Sequence, residues 1–527
     1  MTKKRQIIEK IISSKVYDIA QVTPIDKASN LSKSLKNNIF LKREDLQPTH
    51  SFKVRGSYNK IEHLYRKKNV QHVVTASAGN HAQGVALAAK HLKIKATIFM
   101  PLTTPKIKVN SVKMLGAKVK LTGNNFDESA LAASKYCSQY NLDFIHPFDD
   151  ELVIAGQGTV GLEIANQFTD KIYAVFIGSG GGGLVSGVGE YLKSIRPDIK
   201  IIAVESEDSA ALHQTLNSGK RIKLKEVGLF ADGTAAKQIG KKNYPIIKDV
   251  VDYSMTVNID EICSAVKDTF IETRTIPEPS GALALAGLKK YVSRYGLKKK
   301  NLIAIYCGSN LNFEMLAPIV DRSSMGEQKE VFLGVQIPEV QGSFIKLCSA
   351  IGNKNITEFS YRMDDSSTAK VFLGLELESK HKKELSIKSL KKKFSVIDLS
   401  EDEVSKVHLR HMSGGRGPVF NGEEYEEIYM VDFPEKPGAL LFFLESLGNQ
   451  WNISLFHYKN QGALYGGALI GFKVKKNSNR KLEKKLISIG FPFTNQTTSK
   501  AYQAFLKYFS LTLLFDRTSF RILVHQI

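Results

Sequence analysis

The chain runs to 527 residues, 43% of them hydrophobic, which calls for two to four domains with sizeable cores and excludes a disordered protein. Its formal net charge of +22 is spread along the chain, with short clusters such as Lys298–Lys300 and Lys391–Lys393. No basic-aromatic array or zinc-finger spacing accompanies that charge, so it reads as a lysine-rich solvated surface, with neither a nucleic-acid nor a membrane partner.

Residues 1–12 start basic, but Glu9 and Lys10 interrupt the apolar positions, so this is an amphipathic helix rather than a signal peptide. A run of charges, Lys42 to Asp45, then gives way to Pro48 and to Ser51-Phe52-Lys53, where a helical segment begins. Lys53 lies between Phe52 and Val54. A desolvated lysine loses part of its preference for the ammonium form, and as a free amine it can hold an aldehyde cofactor as a Schiff base. The plainer reading is an aliphatic stem along an apolar surface with its charge in water.

From Val70 onward, β-like runs alternate with helical patterns. Strands are predicted over Val70–Thr75, Lys95–Met100, Lys118–Thr122, Ile172–Ile177, Lys200–Val204 and Leu302–Tyr306. Helices are predicted over Ala82–His91 and Ile107–Leu115, and helical stretches follow the later strands. This rhythm predicts an α/β fold, a mostly parallel sheet with helices on both faces and ligands at the carboxyl ends of the strands. The longest uncharged run, Ala174 to Gly189, is too rich in glycine for a membrane span, and a cytoplasmic location is expected.

Unusual loops fall at those carboxyl ends. After Val70–Thr75 comes Ser77-Ala78-Gly79-Asn80-His81, whose small and polar residues open a helix and suit a carboxylate clamp; an ordinary cap by Ser77 or Asn80 is the alternative. After Ile172–Ile177 comes Gly178-Ser179-Gly180-Gly181-Gly182-Gly183-Leu184. Its glycines let backbone N–H groups approach a phosphate, but the pattern is neither the dinucleotide fingerprint nor the P-loop. Glu278-Pro279-Ser280-Gly281 and Cys307-Gly308-Ser309-Asn310 each read, alone, as turn chemistry. The cysteines Cys137, Cys263, Cys307 and Cys348 are far apart with no C-x-x-C pair, so neither a disulfide framework nor a metal site is expected.

Near Arg322 the character changes and an internal repeat begins. Residues 337–344 match 433–440, and residues 355–361 match 452–458, with one insertion between the two matches. Each copy reads strand, Pro/Gly turn, helix, strand, turn, strand, helix. Two copies suit a paired module better than a solenoid.

Together these motifs resemble the pyridoxal-phosphate enzymes of the tryptophan-synthase-β fold type. With two ACT-like units behind them, the chain resembles the biosynthetic threonine dehydratase (threonine deaminase) family, from the N-terminal helix to about Phe509. The resemblance implies a PLP fold type II catalytic domain over 1–325 and ACT-like regulatory units over 329–401 and 424–498. Residues 510–527 form a C-terminal extension of unknown role. Lys53 would carry pyridoxal 5'-phosphate and act as the base on Cα, with Phe52 beside the ring. Gly180, Gly181, Gly182, Gly183 and Leu184 would bind the phosphate, and Asn80 the ring hydroxyl. Cys307 would face the pyridine nitrogen, where many relatives use serine. Ser77, Ala78, Gly79, Asn80 and His81 would hold the substrate carboxylate. The implied reaction converts L-threonine to 2-oxobutanoate and ammonia at the start of isoleucine synthesis. Isoleucine would inhibit and valine oppose it, at the loops Gln341–Ser343 and Pro437–Ala439, in a homotetramer. L-serine is the alternative substrate, and a non-catalytic amino-acid sensor is the alternative outside enzymes.

Overall fold

Extended runs rich in Val, Ile and Ala, most of them buried on both faces, build two largely parallel sheets in the first of two units, the chain passing from one unit to the next between Gly326 and Glu327. The structure, a computed structural model, describes residues 3–327, 329–363, 367–377, 380–409, 423–434, 436–460, 465–476 and 478–507. The expected extension over 510–527 lies outside the described residues.

The first unit carries strands β1 (Ile25–Lys27), β2 (Asn38–Arg43), β3 (His72–Ala76), β4 (Lys95–Met100), β5 (Lys118–Leu121), β6 (Asp143–Phe144), β7 (Ala174–Gly178), β8 (Lys200–Ser206), β9 (Tyr253–Val257) and β10 (Asn301–Tyr306). The order β1-β2-β10-β7-β8-β9 makes a six-stranded sheet, parallel except for β1 at its edge. The order β5-β4-β3-β6 makes a separate four-stranded parallel sheet. The single sheet anticipated from the βα rhythm is thus divided in two. Side-chain alternation marks a segment as extended and buried but does not say which neighbour it pairs with.

Helices Lys53–Lys68, Glu151–Gln167 and Gly183–Ile195 pack in succession. Their approach is close enough that a Cβ on Gly187 would lie 2.3 Å from Ile154 O. Beneath them four charged side chains are shut away from water. Arg55 donates to Glu44 Oε2 at 2.7 Å and Oε1 at 2.8 Å, and to Glu163 Oε1 at 2.6 Å. Lys42 Nζ donates to Glu163 Oε2 at 2.6 Å and to Thr23 O at 2.5 Å. Burial alone would raise the Glu44 carboxyl, but the Arg55 guanidinium outweighs it and holds Glu44 below its ordinary value of 4.5.

The second unit forms one antiparallel sheet. Its strands are β11 (Glu330–Pro338), β12 (Ile356–Arg362), β13 (Thr368–Glu376), β14 (Ser395–Asp398), β15 (Glu424–Pro434), β16 (Asn452–Lys459), β17 (Tyr465–Lys475) and β18 (Phe493–Asn495), in the order β14-β11-β13-β12-β16-β17-β15-β18. Each repeat is βαββαβ, so the expected pattern lacked its closing strand; β14 and β18 are short edge strands that leave little periodicity to read. The copies join where β12 meets β16, with Ser360 opposite His457. Helices Ser343–Ile351 and Ala439–Leu447 contact each other, and their apolar residues join the inward rows of the strands in one core. On the other strand face, Arg362 of the first copy pairs with Glu426 of the second at 2.5 Å, and Tyr502 donates to Glu426 at 2.9 Å.

Arg55→Met leaves Glu44 buried without its cation and is expected to cost about 3–5 kcal/mol in urea unfolding at neutral pH. Because the folded pKa of Glu44 is depressed, its contribution is complete above 4.5 and is lost as the pH falls through the folded value. Urea midpoints followed down through the carboxylate range should fall more gently for Glu44→Gln than for the wild type.

Candidate active site

Lys53 is the first residue of its helix, and the turn before it is stitched to the end of β10. Ser51 bridges Gly308, Phe52 N–H donates to Cys307 O at 3.2 Å, and Ser309 N–H donates to His50 O at 3.0 Å. This places Lys53 at the carboxyl edge of the six-stranded sheet. Its Nζ donates to Pro147 O at 3.4 Å and lies 5.2 Å from the centroid of the Phe52 ring. Burial lowers its ammonium from 10.5 to about 8, against the pull of Glu278.

The loop 77–80 follows β3, at the same end of the other sheet, and is half-buried. The Ser77 hydroxyl accepts from Gly79 N–H at 3.3 Å, and a Cβ built on Gly79 would meet nothing within 4 Å. Helix Asn80–His91 has no side-chain cap, so the first N–H groups of this helix are free for a ligand. Asn80 Nδ2 donates to Glu278 Oε1 at 2.6 Å, and Asn80 Oδ1 accepts from Asn310 Nδ2 at 2.7 Å. The His81 ring turns inward, away from this loop. Its Nε2–H donates to Ile145 O at 3.0 Å and its Nδ1 accepts from Ser57 at 3.1 Å. Burial, with Lys53 nearby, holds it neutral at about 3, so any contribution of His81 to ligand binding comes from its backbone.

The glycine turn joins β7 to helix Gly183–Ile195. Gly182 has φ +94°, and a Cβ on Gly181 would sit 2.3 Å from the Phe148 ring, so both positions require glycine. Leu184 is core, and only its N–H is available to a ligand. Beside the turn, the Ser179 hydroxyl is buried without a partner. Cys307 is buried at the end of β10, and burial, reinforced by Glu278, pushes its thiol up to about 12. It therefore stays a neutral thiol, a weak donor.

Glu278 joins this set, although its sequence motif reads as a turn and no role was assigned to it. Pro279 opens helix Pro279–Tyr295, and a Cβ on Gly281 would fall 2.1 Å from Gly308 O, so the close packing of this turn on the 307–310 loop carries Glu278 into the cleft. Burial and then Asp232 raise its carboxyl to about 7. A desolvated amine, a glycine-lined helix N-terminus and an orphaned hydroxyl thus share one edge. Those residues fit an anionic aldehyde such as pyridoxal phosphate, the amine taking the aldehyde and the helix N-terminus the phosphate.

The pyridoxal-phosphate dependent enzyme family matches residues 16–308, and the C-terminal regulatory domain of threonine dehydratase matches 321–409 and 416–506. The chain is 44% identical to the biosynthetic L-threonine dehydratase IlvA of Burkholderia multivorans, covering 95% of this chain and 99% of that protein. It is 43% identical to that of Escherichia coli, covering 95% and 97%. Among solved structures, the processed threonine deaminase isoform 2 of Solanum lycopersicum is 43% identical with a TM-score of 0.60, over 61% of this chain and 88% of that one. Maize serine racemase is 30% identical with a TM-score of 0.56, over 59% and 95%.

An amine that titrates near 8 reacts with aldehydes at neutral pH, where ordinary lysines do not. Uptake of pyridoxal 5'-phosphate by cofactor-stripped protein, followed by absorbance, is expected to quicken with pH around a midpoint near 8. It should vanish in Lys53→Arg. A midpoint at the ordinary 10.5 would show that Lys53 is not desolvated.

Proposed function

The chain belongs to the biosynthetic threonine dehydratase family of pyridoxal-phosphate dependent enzymes, and we propose that it converts L-threonine to 2-oxobutanoate and ammonia under feedback from its C-terminal repeats. The observation that carries this reading is Lys53, a desolvated amine on the same sheet edge as the glycine-lined helix N-terminus.

Bound pyridoxal phosphate supplies an electron sink that acidifies the Cα–H of an attached amino acid. The chain's own residues bind and move protons. The N–H groups over Gly180–Leu184 hold the phosphate at a helix N-terminus, where the dipole favours an anion. Asn80 would meet the ring hydroxyl and Phe52 would pack beside the ring. Ser77, Ala78, Gly79 and Asn80, with the backbone of His81, hold the substrate carboxylate. Lys53 Nζ, with much of its population neutral near pH 8, takes the proton from Cα. Cys307 at the ring nitrogen offers a thiol rather than a carboxylate, which keeps the ring a modest sink and suits expulsion of a β-hydroxyl over a long-lived carbanion. The β-hydroxyl leaves as water, its added proton balanced by the one Lys53 takes from Cα, and the released enamine tautomerises and takes up water to give the 2-oxo acid and ammonia. The likeness to maize serine racemase, 30% identical with a TM-score of 0.56, favours the second reading, L-serine as a substrate.

For regulation, an open cleft lies in the second unit. Lys354 and Asn355 of the first copy line it, with Phe433, Lys436, Leu440 and Tyr458 of the second. Apolar walls, two cations and the N-terminus of helix Ala439–Leu447 suit a free amino acid with an apolar side chain. The expected loop Pro437–Ala439 borders this cleft. At the matching loop Gln341–Ser343, the Phe344 ring packs edge-on against Tyr361 at 4.7 Å, and Tyr361 donates to Glu339 at 2.7 Å. We place isoleucine in the cleft, with valine competing for it. The assembly we propose is a homotetramer, to be read from its mass in solution. Among the described residues no helix is long and apolar enough to cross a membrane, and we propose a cytoplasmic location.

The purified protein is expected to release 2-oxo acid from L-threonine faster than from L-serine, with isoleucine suppressing the threonine reaction. Turnover indifferent to isoleucine would move the function towards a serine or catabolic enzyme. Lys436→Glu, which sets a negative charge against the ligand carboxylate, should raise the isoleucine concentration for half inhibition about tenfold or more.

A further inference from the structure

Glu278 is a buried carboxyl in the cleft that the reaction above leaves unused. Its backbone N–H donates to Gly308 O at 3.2 Å, which anchors it on the lobe of the six-stranded sheet. Asn80 opens the helix between β3 and β4, on the lobe of the four-stranded sheet. The hydrogen bond of 2.6 Å from Asn80 Nδ2 to Glu278 Oε1 therefore crosses between lobes. Asn310 completes the clamp from the same side as Glu278. Its Nδ2 donates to Asn80 Oδ1 at 2.7 Å and to Thr49 O at 2.8 Å.

The two contacts leave the Asn80 amide a single orientation. A half-turn about its last bond would set its oxygen against the Glu278 carboxyl and its amino group against that of Asn310, losing both hydrogen bonds and facing like with like. Glu278 is buried, so water does not cheaply replace the hydrogen bond that Asn80 gives it.

We infer that Glu278 is a positioning residue: it fixes the amide of Asn80 from across the cleft, so that Asn80 meets the bound pyridoxal ring in one orientation. The inference rests on the cofactor reading of the site. The charged groups that face Glu278 are Asp232, from the segment Asp232–Thr234, Lys108 from helix Lys106–Met114, and Lys53, with the neutral Cys307 at the end of β10. Burial and Asp232 raise its carboxyl, while Asn80, Lys108 and Lys53 draw it back, leaving it to ionise at about 7. Above that pH Asn80 donates to a carboxylate, and below it to a weaker neutral acceptor.

The test uses the full-length, cofactor-loaded protein and reads the cofactor itself. Two quantities are followed: the rate of cofactor loss on dilution, and the pH dependence of the cofactor absorbance band. Glu278→Ala should speed loss about tenfold and Asn80→Ala at least as much, and the double variant should be no worse than Asn80→Ala alone, because Glu278 acts only through Asn80. Glu278→Gln keeps an acceptor oxygen and should retain cofactor within about threefold of the wild type. Its band should lose the wild-type change centred near 7. Losses that multiply in the double variant, or a Glu278→Gln band that still changes near 7, would overturn the inference. If Glu278→Ala fails to fold, the Glu278→Gln band decides alone. A wild-type chain that takes up no cofactor would overturn the cofactor reading itself, and this inference with it.

Discussion

Four charged side chains at the base of the catalytic unit, Lys42, Glu44, Arg55 and Glu163, have side-chain exposures of 0–2%. Two cations and two anions in so little water are tolerable only because every charge is paired and further hydrogen bonds fill the remaining positions. Thr23 donates to Glu44, Thr159 receives a bond from Arg55, and Gln167 receives one from Lys42. The consequence is positional. Arg55 lies two residues after Lys53, Lys42 is the penultimate residue of β2, and Glu163 belongs to helix Glu151–Gln167. One network thus sets the height and rotation of the helix whose first residue is the reactive amine.

The site exploits that rigidity. A lysine whose stem is held by its own helix start, and whose head is only partly exposed, cannot recover all the solvation its charge needs. The two-lobed construction matters equally, because the carboxyl ends of two parallel sheets face one cleft. The six-stranded sheet brings Lys53, the glycine turn, Glu278 and the 307–310 loop. The four-stranded sheet brings Ser77 to Asn80. Hydrogen bonds through Asn80 are the seam between them. A reaction that must hold an aldehyde cofactor on one side and an amino-acid carboxylate on the other suits a seam of this kind.

In the second unit, joining two similar copies through β12 and β16 buries edges that would otherwise template other chains. It also places the cleft where both copies contribute lining, so a ligand there acts on the relation between them. The Arg362–Glu426–Tyr502 contact links the same two copies through the opposite strand face. Regulation requires a ligand that binds two arrangements unequally, and a site built from both copies is well placed to sense such a difference.

The strands, the repeat and the loops that line the cleft were legible in the sequence because each is written within a few consecutive residues. Strand periodicity marked β4 from Lys95 to Met100, and four adjacent glycines marked a turn that tolerates no side chain beside Phe148. The short closing strands β14 and β18 were not legible, nor was the division into two parallel sheets, since pairing partners lie far apart in the chain. The His81 ring, next to the carboxylate loop in sequence, points into the core instead. Glu278 was visible only as a turn residue. The sequence by itself determined which groups were available and the local backbone each prefers, because those follow from residue type and near neighbours. Only the tertiary structure decided that Lys53 would be partly desolvated and that Glu278 would reach Asn80 across the cleft. Desolvation and hydrogen-bond geometry are sums over atoms that distant parts of the chain bring together.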